Sequence, residues 1–69
     1  MSPVFGCDVR AALERFGSPE AAGLIGAWLA DDDHVETYEE LVERCPPERV
    51  GLTPGAYVAI VGPLFGEFE

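Results

Sequence analysis

The chain has 69 residues, 48% of them hydrophobic, with one Trp, two Tyr and four Phe. That length holds one domain and one core, and the apolar content argues against a natively disordered chain. Thirteen acidic residues against four arginines and no lysine give a formal net charge of −9, which disfavours direct nucleic-acid binding and anionic membrane surfaces, since both need clustered cations.

The first periodic segment runs from Asp8 to Phe16, where Val9, Ala12, Leu13 and Phe16 recur at the spacing of one helix face. Asp8 reads as its N-cap and Gly17 as its stop. Ser18-Pro19-Glu20 then reads as a cap, a first helical position with fixed φ, and an acid near the positive end of the dipole. In this second helix Leu24, Ile25, Trp28 and Leu29 form the expected core face, and Ala22, Gly26 and Ala30 form a small-residue line open to a neighbouring helix. Asp31, Asp32 and Asp33 end it, because negative charge at a helix C-terminus opposes the dipole.

Asp33 reads as the cap of a third helix, with Glu36 three residues on at capping-box spacing. Val35, Tyr38, Leu41, Val42 and Cys45 would face inward, Glu36, Glu39, Glu40 and Glu43 outward, with a Glu40–Arg44 pair at i, i+4. Pro46-Pro47 stops the segment, and Thr53-Pro54 repeats the cap-then-proline signal. Residues 54–65 carry Tyr57, Ile60, Val61 and Leu64 on one face and read as a helix that ends or kinks at Gly62-Pro63. The same stretch also fits a short C-terminal strand. Val4-Phe5, the other strand-like piece, is too short to make a convincing sheet.

The expected fold is therefore all-α, a compact bundle of three to four short helices over residues 1–69, with an α+β domain ending in a short strand as the alternative. The expected core is Leu13, Phe16, Leu24, Ile25, Trp28, Tyr38, Leu41, Tyr57, Ile60 and Val61. One core in so short a chain supplies about 3–5 kcal/mol or less, so a homodimer or stable complex is a natural further source of stability.

The longest apolar run, residues 56–65, falls short of the roughly 18 residues a membrane span needs. The first residues lack the basic start and apolar stretch of a signal peptide, so a cytoplasmic protein is expected. Cys7 and Cys45 lack metal-ligand spacing; they could form one bridge, or serve as small buried hydrophobes in a reducing compartment.

Eight of the thirteen acids fall between Asp31 and Glu48. Carboxylates held together on a rigid helix can occupy positions where phosphates would sit on a basic groove. Asp31, Asp32, Asp33, Glu36, Glu39, Glu40 and Glu43 are therefore the expected contacts to a basic protein surface, with Phe68 in the apolar tail as a further anchor. Phe5 and Phe65 read as closing the core from the two ends.

Asp31 to Asp33, His34 and Glu36 are chemically suitable for a divalent cation, yet they match neither the calcium-loop nor the zinc spacing, so helix punctuation is the better reading. No cofactor is expected. Nucleophile elbows, phosphate loops and a supported pairing of Ser or Cys with His are absent, so the chain does not read as an enzyme.

In type, short, acidic and tightly punctuated, the chain is similar to small phage-encoded inhibitors, including anti-CRISPR proteins and other nucleic-acid mimics. The same profile fits an accessory subunit, an antitoxin-like partner or a phage structural component that assembles through apolar termini.

Overall fold

Three of the four helix starts obey one local rule. In the computed structural model, which describes residues 3–66, helix α2 (Pro19–Ile25) is capped by Ser18, whose hydroxyl accepts from the Ala21 amide at 3.1 Å. Helix α3 (Tyr38–Arg44) is capped by Thr37, accepting from the Glu40 amide at 3.1 Å, and α4 (Pro54–Val61) by Thr53, accepting from the Ala56 amide at 3.2 Å. Each hydroxyl satisfies an amide that the helix leaves without an intrahelical partner. Pro19 and Pro54 stand at first helical positions, where no amide is needed.

Helix α1 (Gly6–Phe16) starts two residues before the expected cap. Asp8 lies inside its first turn, and the carboxylate reaches back to accept from the Phe5 amide at 3.1 Å. Two further first-turn amides, those of Gly6 and Cys7, donate to the Asp33 and Asp31 carbonyls at 2.8 and 3.2 Å. The start of α1 is thus completed by a loop far along the chain. Gly6 makes this approach possible, since a Cβ there would collide with the Ala30 carbonyl.

The same approach adds a small sheet to the expected compact domain of four short helices. Val4–Phe5 (β1) pairs antiparallel with His34–Val35 (β2), placing Val4 opposite Val35 and Phe5 opposite His34. The fold is mostly helical with one two-stranded sheet, and its second strand is not C-terminal: residues 54–65 form α4 followed by a 3₁₀ turn, Gly62–Phe65. Strand β2 also displaces the third helix. Asp33 and Glu36 have capping-box spacing, but residues 34–35 are committed to the sheet, so the helix begins after Thr37, where Thr37 and Glu40 offer the same spacing.

Val9 and Leu13 of α1, Ala21, Ala22 and Ile25 of α2, Leu29, Val35, Leu41, Cys45, and Tyr57 and Val61 of α4 form one buried cluster. Of the expected core, Leu13, Ile25, Leu41, Tyr57 and Val61 are buried, and Tyr38 and Ile60 pack against them. Phe16, Leu24 and Trp28 are corrections, at 67%, 46% and 44% exposure. On α2 and the turn that follows it, the core takes Ala21, Ile25 and Leu29, at spacings of four; Leu24 and, beyond the helix end, Trp28 face out. Gly26 and Ala30 are exposed as well, and the close helix approach at this line is that of Gly6 in α1 to the Ala30 carbonyl. Phe65 closes the core, whereas Phe5 is 41% exposed, with its ring beside that of His34.

At the centre of the core the Tyr57 hydroxyl donates to the Cys45 carbonyl at 2.9 Å. Burial raises the Tyr57 pKa well above the ordinary tyrosine value, and burial likewise raises that of the Cys45 thiol. Cys7 and Cys45 are both free thiols. Among the described residues, no helix is long and apolar enough to cross a membrane.

Candidate functional site

The acidic segment divides in two. Residues 31–35 form a loop and strand held by backbone bonds to the start of α1, and two of the three acids there, Asp31 and Asp33, are engaged by cations. Asp31 pairs with Arg10 at 3.0 Å. Asp33 accepts from the Ala30 amide at 3.1 Å and pairs with Arg44 at 3.2 Å, while a second Arg44 nitrogen lies 3.4 Å from the His34 carbonyl. Arg44 therefore ties the end of α3 to β2 and does not make the expected pair with Glu40. Glu40 instead turns to the helix start, accepting from the Glu36 amide at 3.4 Å.

The second part is the outer side of α3. Glu39 and Glu43 are exposed there, as are Asp32 and Glu36 in the chain that precedes the helix. Glu39 and Glu43 stand four residues apart and so share a helix face, a like-charge arrangement that costs a few tenths of a kcal/mol in isolation. The four arginines do not relieve it. Among the described residues the ion pairs are those of Arg10 and Arg44, while Arg15 lies 5.3 Å from the Phe16 ring centroid and Arg49 stands 3.9 Å over that of Trp28.

The seven expected acidic contacts thus fall on one continuous stretch of chain but not in one condition. Asp31, Asp33 and Glu40 serve local structure; Asp32, Glu36, Glu39 and Glu43 are left facing solvent. Phe68 lies outside the described residues. His34 is exposed, and among the described residues no group of three His, Cys, Asp or Glu side chains is placed to hold a metal ion.

Sequence reasoning missed an apolar groove of about 250 Å³ between α1 and the 3₁₀ turn after α4, lined by Asp8, Ala11, Ala12, Arg15, Phe16 and Leu64. The spacing of Phe16 from Ala12 and Leu13 puts it on the expected core face. The available signal was its place as the last residue of α1, directly before Gly17, where the helix outruns the core. No protein family, characterised protein or solved structure matches the chain.

Proposed function

We propose that this chain is a small protein-binding module of the cytoplasm that docks the acidic side of α3 on a basic surface of a partner protein. The observation that supports this reading is the unrelieved charge on Asp32, Glu36, Glu39 and Glu43, in a protein whose arginines are engaged elsewhere. A solubilising surface would gain by spreading these groups apart; a partner rich in arginine relieves their repulsion and is steered toward them. Where that partner surface normally holds nucleic acid, the module acts as an inhibitor by occupying it, in the manner of a phage-encoded mimic.

The test is affinity capture from cell extract, followed by binding measurements on the recovered protein with the triple variant Glu36→Lys, Glu39→Lys, Glu43→Lys. These side chains are exposed and make no cap, so the fold is expected to persist by circular dichroism. Binding should be lost, and nucleic acid should compete with the unmodified protein. Retention of full affinity by the triple variant would refute the acidic docking face.

A further inference from the structure

The groove on α1 points to a different surface and a different occupant. Asp8, Ala11, Ala12 and Arg15 follow one another at helical spacing along α1, with an acid at one end, a base at the other and two small residues between. The exposed Phe16 ring lies just beyond Arg15, and Leu64 forms the opposite wall. We propose that this groove is the interface of a symmetric dimer, its occupant the α1 helix of a second copy of this chain running antiparallel.

The charges select that partner. A two-fold axis between Ala11 and Ala12 places Asp8 of each copy opposite Arg15 of the other, so the surface complements itself, as a closed two-fold interface requires. Arg15 forms no ion pair among the described residues, although the chain carries a net charge of −9. At the axis Ala11 is exposed and Ala12 is buried at the floor of the groove, so only small side chains separate the two helices, which can approach at the close end of the usual 8–10 Å separation. The same axis brings each Phe16 level with the first turn of the opposing α1, where the contact covers its exposed ring.

One helix face with one aromatic anchor buries less than the roughly 800 Å² per partner of a standard interface. The dimer is accordingly weak and concentration-dependent. At physiological ionic strength the net charges of the two copies are screened beyond about 8 Å, leaving the close Asp8–Arg15 pairs as the main electrostatic contact between them. The inference is independent of the acidic docking face, which lies on α3.

Sedimentation equilibrium of the full chain over a wide concentration range tests it. The unmodified protein should show a reversible monomer–dimer equilibrium. Arg15→Glu, which sets two acids against each other at both ends, and Phe16→Ser, which removes the anchor, should each give a monomer with an unchanged helical spectrum. Both side chains are exposed, so neither change strips the core. Arg49→Glu, at the other arginine without an ion pair among the described residues, should leave the dimer in place. A protein that stays monomeric at millimolar concentration overturns the proposal, and so does a dimer that survives Arg15→Glu or Phe16→Ser.

Discussion

Tyr57 and Trp28 have the same sequence signature, an aromatic ring on an apolar helix stripe, and opposite fates. Tyr57 is fully buried in the middle of α4, and its hydroxyl is satisfied by the Cys45 carbonyl. Trp28 lies beyond the end of α2, where the chain has begun to turn, and almost half of its surface meets water, with Arg49 laid over one face. The difference is set by what stands opposite. Around Tyr57, α4 and the end of α3 converge in the buried core, whereas Trp28 meets the 3₁₀ turn Pro47–Val50 through Arg49, whose guanidinium lies over one face of the ring. An aromatic side chain thus earns its place in a core from its neighbours and not from its own periodicity.

The strongest way to break the comparison is to remove both rings in turn. Tyr57→Ala should cost about 3–5 kcal/mol, enough to unfold a domain of this size, and a urea melt monitored by circular dichroism would show it. A loss under about 1 kcal/mol would mean that the core does not depend on this side chain.

Removing only the hydroxyl sharpens the picture. Tyr57→Phe leaves the buried Cys45 carbonyl without its donor and should cost about 1–3 kcal/mol at neutral pH. The hydroxyl also makes stability depend on pH. Its pKa is raised in the folded state, so the folded protein keeps a proton that the unfolded chain gives up near pH 10. Stability from this source is intact below that value and falls as pH rises above it. Cys45, whose pKa is raised in the same direction, begins the decline nearer the ordinary thiol value. Denaturation measured between pH 7 and 11 should show this fall, with a shallower slope in Tyr57→Phe; equal slopes would contradict the assignment.

The smallest effect is expected at Trp28. Burial would have put Trp28→Ala at about 3–5 kcal/mol, but a half-exposed ring with a surface cation over it is worth about 1 kcal/mol or less. A loss of 3 kcal/mol in the same urea assay would place the ring in the core after all.

What the sequence disclosed follows the range of the interactions involved. Ser18 and Thr53, each followed by proline, marked their helices because a cap is decided within four residues. Asp33 misled because the contest for it was long-range: β1 claimed the residues after it, and Arg44, eleven residues on, took its carboxylate. The acidic stretch was readable as composition. Its division into acids tied to arginines and acids left in solvent was not, because Arg10 reaches Asp31 only once α1 lies against the loop. Phe16 and Leu24 were misplaced for a related reason: periodicity defines an apolar stripe but not which edge of it a neighbour will cover.

The two-residue strands have a kinetic meaning beyond their contribution to architecture. Pairing Val4 with Val35 closes a loop that contains all of α1 and α2. The entropy of that closure has to be met before any of its contacts are rewarded, whereas the Ser18 cap of α2 and the body of α1 draw on neighbouring residues, and only the first turn of α1 waits for the distant loop. The sheet is therefore expected to zip up late, after α1 and α2 have shortened the distance it must span. The smallest element of the fold would then act as the clasp that sets its tempo.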